Sequence, residues 1–210
     1  MPQTKNQMLK EKFLSLIEKY SENKSYNSQC WDEVEKKYSS KTRHYHNLQH
    51  LENMITELNT VEQQVTDLDT LLFAIYYHDI VYKPTKSNNE HQSALLFKKR
   101  IEKTYFAKLL ECMAQIEATK EHKPTTDNDT NILLDLDLSI LGKNPKTYKT
   151  YCENIRKEYQ VYPDFMFRKG RKKVLQSILQ LDSIYKTNFF KQKYETQARE
   201  NLSLELNQLN

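Results

Sequence analysis

The longest apolar stretch of the chain, Leu71 to Tyr77, is an unbroken run of aliphatic and aromatic residues that ends at His78-Asp79. Such a run predicts a buried element, and its Ala and Leu content with its length favours a helix over a strand. We expect this helix to span about residues 66–80, with Thr66 as its N-cap. An imidazole and a carboxylate buried at its end would be costly unless both are paired or bind a cation.

Apolar positions three and four residues apart predict helices along most of the remaining chain. The predicted segments are residues 6–20, 28–38, 48–58, 87–101, 106–121, 132–142, 144–159, 163–178 and a last helix from about 185. Ser28, the capping-box pattern Ser87-Asn-Asn-Glu90 and Asn144-Pro145 are start signals, and Gly142 is a stop signal. No internal repeat or linker interrupts this pattern, so we expect one domain over residues 1–210.

Composition narrows the fold class and the partners. The 210 residues include only 2 glycines and 5 prolines, which leaves little for hairpins or phosphate-binding loops and favours an all-α fold. A net charge of +4 is too mild to require nucleic acid or a membrane as a partner. Three widely separated cysteines and the lack of a signal sequence or of an apolar run long enough to span a membrane predict a soluble, cytoplasmic protein with reduced thiols.

Three of the six histidines, His44, His46 and His50, fall within seven residues. The helical pattern from Leu48 places His46 and His50 four residues apart near a helix start, so we expect them to share one face. His44 fits a capping or surface residue. His50 lies beside the inward-facing Leu51, which favours a metal ligand.

Further polar residues have two interpretations each. Asp135 and Asp137 lie in an otherwise apolar segment, so at least one should point inward and need a cation or a donor. Glu90 fits the capping box, and His122 fits the last turn of a helix as well as it fits a site. The basic stretch 168–173 is typical of a solvated face, although Arg168 or Arg171 can also serve to bind a phosphate.

Four of these residues, His50, His78, Asp79 and Asp137, follow the order H…HD…D on predicted helices. This pattern resembles the HD superfamily of metal-dependent phosphohydrolases. Flanking stretches are similar to those of small bacterial single-domain HD proteins over roughly residues 40–205. These stretches are Arg43–His50, Tyr77–Tyr82, Asn89-Glu90, Leu134–Gly142, Phe167–Arg171 and Ala198–Leu202.

The resemblance implies a single-domain HD-type helical bundle in which His50, His78, Asp79 and Asp137 bind a divalent cation. Two imidazoles and two carboxylates suit Mn, Fe, Ni, Co, Mg or Zn, and the residues do not choose among them. Such an ion can activate a water molecule and neutralise charge on a phosphoryl group.

Tyr45-His-Asn-Leu-Gln-His50 also resembles a stretch of the cyclic-nucleotide phosphodiesterases in which the first histidine protonates the leaving oxygen. This similarity implies a general-acid role for His46, with Asp79 as the second catalytic residue. His122 resembles a histidine that some HD enzymes add for a second metal, but the further histidine of the binuclear enzymes has no match here. We therefore expect one strongly bound metal. Residues expected at the edge of the site or near the substrate are Glu90, His122, Arg168 and Arg171.

The first functional hypothesis is hydrolysis of a phosphomonoester or phosphodiester in a small phosphorylated substrate, most simply a nucleotide. The alternative is a non-catalytic HD-fold module that binds a metal and a nucleotide for regulation. Nucleic-acid binding through residues 168–173 lacks the interleaved aromatic side chains or strong net charge that it would need. The sequence specifies neither the exact substrate nor the oligomeric state.

Overall fold

The computed structural model describes residues 5–209, and the regular secondary structure in that range is entirely helical. The helices are α1 (Lys5–Ile17), α2 (Lys24–Tyr38), α3 (Leu48–Leu58), α4 (Leu68–Tyr77), α5 (Asn89–Ile101), α6 (Leu109–Ala118), α7 (Asn128–Leu138), α8 (Pro145–Glu158), α9 (Asp164–Leu179) and α10 (Asn188–Leu209). Short 3-10 turns occur at Glu62–Gln64 and Ser139–Gly142. The all-α prediction is confirmed. Within residues 5–209, no helix is both long and apolar enough to cross a membrane.

Contacts divide the chain into two compact units, Met1–Leu133 and Leu134–Asn210, with the boundary inside α7. The expectation of a single domain stays a prediction. Each unit has its own set of packed helices, and each is described separately below.

Helix α4 is the centre of the first unit. Its residues 71–77 are all buried, and the helix packs against α1, α3, α5 and α6. Phe13 of α1 meets the rings of Trp31 and Tyr76 at centroid distances of 5.8 and 5.1 Å, and its contact with Tyr76 is edge-to-face. Burial on every side explains why this segment has no polar face, as the apolar run predicts.

The predicted N-cap of α4 is wrong by one residue. The carboxylate of Asp67, not the hydroxyl of Thr66, accepts the hydrogen bond from the Thr70 N–H at 3.1 Å. Thr66 is instead held by Asp129, whose side chain accepts the N–H groups of both Thr66 and Asp67. A carboxylate from a distant part of the sequence thus fixes the start of α4, which local sequence patterns do not reveal.

Two other predicted starts differ from the structure. Helix α2 begins four residues before Ser28, because Asn23 accepts a hydrogen bond from the Tyr26 N–H at 3.0 Å and caps the helix there. The capping box at Ser87 is also wrong: α5 begins at Asn89, and no side chain caps its start. Glu90 therefore lacks the capping role that its sequence pattern predicts. Asn89 uses its side chain to bind the backbone N–H and carbonyl of Lys83.

In the second unit, α10 packs against α9 and against the turn Ser139–Gly142. The predicted start of α8 is confirmed, with Asn144 as the N-cap and Pro145 in the first turn. Asp135 is completely buried, and its carboxylate accepts hydrogen bonds from the backbone of Lys186 and from the backbone and hydroxyl of Thr187. Burial raises the pKa of Asp135, and these donors oppose the shift.

Helix α9 is mostly exposed. Leu175 is its only fully buried residue, whereas Phe165, near the start of the helix, is 73% exposed. Arg171 makes the strongest polar contact of this helix, a two-pronged ion pair with Glu205 of α10 at 2.7 and 2.8 Å. The attachment of α9 therefore depends on Leu175, on the Arg171–Glu205 ion pair and on hydrogen bonds from Arg168 to the last carbonyls of α10, supported by partly buried neighbours.

Substituting Gly142→Ala should destabilise the protein. A Cβ atom there would lie 2.8 Å from Cγ of Tyr194, and that ring atom cannot move away without shifting α10. We expect a loss of about 1–3 kcal/mol in the free energy of unfolding. The matched control is Gly170→Ala, where a Cβ meets nothing within 4 Å and alanine favours the helix by roughly 0.5–1 kcal/mol. Chemical denaturation measures both, and equal stabilities for the two variants would contradict the packing argument.

Candidate metal centre

The two histidines of the candidate site come from helix ends that face each other in the first unit. Asn47 caps α3 by accepting the Gln49 N–H at 2.9 Å, which places His50 in the first turn of the helix. His78 follows the last residue of α4, and its N–H still donates to the carbonyl of Ala74. The side chains are almost fully buried, with residue exposures of 2% for His50 and 1% for His78.

A hydrogen bond fixes the proton position on His78. Its Nδ1 lies 2.8 Å from the carbonyl oxygen of Ile75, which can only accept, so Nδ1 carries the proton. In the neutral ring, Nε2 then carries a lone pair. The Nε2 atom of His78 lies 3.2 Å from Nε2 of His50 and 3.2 Å from Oδ2 of Asp79.

The short distance from His78 to Asp79 brings two lone-pair atoms together. Two such atoms repel each other unless a proton or a metal ion lies between them. Ligand atoms about 2.1 Å from a common ion are separated by about 3.0 Å at right angles and about 3.4 Å at the tetrahedral angle. The observed 3.2 Å lies between these values, so the donor atoms fit a transition-metal ion.

Asp79 adds a carboxylate to the two histidines within the first unit. Its Oδ2 lies 3.2 Å from Nε2 of His78, which itself lies 3.2 Å from Nε2 of His50. Asp137 belongs to the second unit. The roles of all four residues as metal ligands stay predictions.

Asp135 and Asp137 differ because they are two residues apart on one helix and so point in different directions. The Asp135 carboxylate accepts hydrogen bonds from the backbone of Lys186 and Thr187, whereas Asp137 stays a predicted metal ligand. Burial lowers the pKa of the Lys186 ammonium, and the charges of Asp135 and Asp137 oppose this shift. Lys186 therefore places a positive charge near Asp137 that the sequence pattern did not reveal.

His46 lies beside the candidate metal ligands but not on their helix. It precedes the N-cap Asn47, so the expectation that His46 and His50 share one helix face is wrong. Its Nε2 is 3.9 Å from Oδ2 of Asp79, and its ring centroid is 5.9 Å from that of His50. The ring stacks on Tyr82, with centroids 4.1 Å apart.

The structure adds supporting residues that sequence reasoning missed. Tyr38 accepts a hydrogen bond from the Asp79 N–H at 3.2 Å, and Arg43 donates to the carbonyl oxygen of the same residue at 2.7 Å. After the His78-Asp79 pair, Ser93 of α5 binds both the N–H and the carbonyl of Val81. Of these three supporting residues, the sequence pattern drew attention only to Arg43, because Arg43 begins the histidine-rich segment.

The other predicted residues have structural contacts of their own. His122 adopts a left-handed backbone conformation (φ 49°) after α6, and its N–H donates to the carbonyl of Ala118. Glu90 lines an open cavity of about 570 Å³ together with His91 and Glu117. Arg168 donates to the backbone carbonyls of Gln208 and Leu209, and Arg171 pairs with Glu205, as described above. His44, expected to be a capping or surface residue, is partly exposed.

Metal binding should depend on His78 and not on an exposed histidine. We expect wild-type protein to take up close to one equivalent of a divalent transition metal, and His78→Ala to lose most of it. The matched control is His91→Ala, because His91 is exposed and pairs with Glu117. Elemental analysis after dialysis measures the metal content.

The same metal should stabilise wild-type protein against heat by about 2.7 kcal/mol at a hundredfold excess over its dissociation constant. The stabilisation should disappear in His78→Ala. Full metal content in that variant would contradict the assignment of the site.

No protein-family model, no curated protein and no solved structure matches this chain. The candidate site therefore stands on its geometry and on the resemblance of its motifs.

Proposed function

We propose that this protein is a metal-dependent phosphohydrolase. Its substrate would be a phosphomonoester or phosphodiester of a small molecule, most simply a nucleotide. The observation that carries the proposal is the pair of buried histidines, His50 and His78, with Asp79 and His46 beside it. The resemblance of the H…HD…D motif to the HD superfamily supports the same reaction class.

The donor set determines what the site would bind. Neutral imidazoles and carboxylates together suit Mn, Fe, Ni, Co, Zn or Mg. When bound, the ion would lower the pKa of a water molecule and offset the negative charge of the phosphoryl group. With only three or four protein ligands, room remains for water and for a phosphate oxygen.

Side chains at the edge of the site would carry out the proton transfers of the reaction. In hydrolysis, the oxygen of water forms a bond to phosphorus while the bond to the leaving oxygen breaks. Asp79 would accept the proton of the water, and protonated His46 would donate a proton to the leaving oxygen. The distance of 3.9 Å between His46 Nε2 and Asp79 Oδ2 puts both groups at one side of the site. A positioned general acid typically contributes about 10²–10⁴-fold to the rate.

A substrate screen tests the reaction class. Metal-loaded protein is incubated with a panel of nucleoside monophosphates, cyclic nucleotides and simple phosphate esters, and released phosphate or product is measured. Turnover that disappears in His78→Ala supports the proposal. Tight binding of a nucleotide without turnover on any compound would favour the regulatory module instead.

His46→Ala tests the general acid. The variant should keep its metal, because His46 is not one of the four predicted metal ligands, and should lose about 10²–10⁴-fold in turnover on an ester with a poor leaving group. The defect should shrink on a nitrophenyl ester, whose leaving oxygen needs little protonation. His91→Ala is the control and should leave both rates unchanged. Loss of metal in His46→Ala, or an equal defect on both esters, would exclude the acid role.

A further inference from the structure

We propose that Arg43 is a positioning residue for His46. Its buried guanidinium ties the segment that carries His46 to the turn that carries Asp79. This inference rests on the proposed function for its effect on turnover, but its effect on the structure can be measured independently.

The contacts of Arg43 reach both segments at once. Nη1 donates to the carbonyl of His46 at 3.1 Å and to the carbonyl of Asp79 at 2.7 Å. Nη2 donates to the carbonyl of Ile80 at 2.9 Å. One guanidinium therefore joins the backbone just before α3 to the backbone just after α4, the two segments that carry the proposed proton donor and the HD aspartate.

Two tyrosines hold the guanidinium between them. Its Cζ atom lies 4.8 Å from the ring centroid of Tyr38 and 5.6 Å from that of Tyr82. Arg43 is only 8% exposed, so these ring faces and carbonyl oxygens compensate a charge that is almost completely removed from water. Guanidinium groups tolerate such a site because they are weakly hydrated and stack on aromatic rings.

Tyr82 links Arg43 to the imidazole of His46. One Tyr82 ring contacts the guanidinium and also stacks on the His46 ring at 4.1 Å with an interplanar angle of 28°. Arg43 thus acts on His46 twice, through the backbone carbonyl and through the ring on which the imidazole rests. Because His46 precedes the N-cap of α3, the helix does not fix its position, and Arg43 supplies that constraint.

Lysine cannot replace these contacts. A lysine retains the positive charge, but its single nitrogen cannot reproduce the planar fork that spans three carbonyls. Arg43→Lys therefore removes the geometry while preserving the charge. The matched control is Arg100→Lys, because Arg100 makes a two-pronged ion pair with Glu33 in the same unit, away from the histidines.

The first measurement uses metal-free protein and proton NMR of the histidine rings. In wild type, stacking on Tyr82 should shift the His46 ring protons upfield, and His46→Ala assigns those signals. Arg43→Lys should move them to the position of an unstacked histidine, whereas Arg100→Lys should leave them in place. Unchanged His46 signals in a folded Arg43→Lys protein would overturn the proposal.

The second measurement is a double-mutant cycle on turnover. Arg43→Lys should keep the metal and lose about 10- to 100-fold in kcat, since a displacement near 1 Å has an effect of that size. In the His46→Ala background the same change should have little further effect, because both substitutions remove the same placed proton donor. Effects that multiply would show that Arg43 does not act through His46.

Two further outcomes are distinguishable. If wild-type protein hydrolyses no compound in the panel, the proposed function fails, and the NMR result still decides the structural role of Arg43. If Arg43→Lys does not fold, Tyr82→Ala breaks the same link at a half-buried position. It should lower turnover in wild type and not in His46→Ala; an unchanged turnover in Tyr82→Ala would overturn the proposal.

Discussion

The burial of His78 at the end of α4 is the constraint on which the rest of the first unit depends. A helix with no polar face carries an imidazole into the interior, and the Ile75 carbonyl turns the lone pair of that ring toward His50 and Asp79. These atoms stay close only if a proton or a metal ion lies between them. The apolar packing around α4 therefore forms the core of the first unit. The same packing buries the lone-pair atoms of the site, whose repulsion must be compensated.

The fixed position of His78 also explains how its neighbours are arranged. Side-chain hydrogen bonds fix the backbone segments that carry the site residues. Asn47 caps α3, Tyr38 binds the Asp79 N–H, and Ser93 binds the backbone of Val81. Most of these contacts are to backbone atoms. Substitutions of His46 or Asp79 should therefore leave the backbone contacts of these residues intact. Their effects on turnover then reflect the lost side chain and not a loss of folding.

Sequence patterns predicted the helices well because their apolar periodicity is a local property. The run 71–77, the start of α3 and the Asn144-Pro145 start are all visible without tertiary information. Errors arose where distant groups decide the local structure. Asp129 holds the start of α4, and Asn89 uses its side chain on a loop before α5.

The site was predictable in part for the same reason. His50, His78 and Asp137 are polar residues in or beside apolar segments, and the Nε2 atoms of His50 and His78 lie 3.2 Å apart. Asp135 also lies in an apolar segment, but its carboxylate accepts hydrogen bonds from backbone N–H groups. The sequence pattern does not distinguish Asp135 from Asp137. The sequence did not indicate the role of Tyr38, because a tyrosine at a helical position usually indicates only packing. Tyr82 was noted only as part of the stretch Tyr77–Tyr82 that carries the family resemblance.

The sparse burial of α9 has a consequence for motion in the second unit. Residues that open most easily are those with few buried apolar contacts, and α9 buries only Leu175 completely. Its ion pair between Arg171 and Glu205 is itself shielded from solvent, so separating the helix would expose two charges together. Local unfolding of α9 should therefore be an all-or-none event that frees the whole helix at once, while α10 keeps its own apolar contacts.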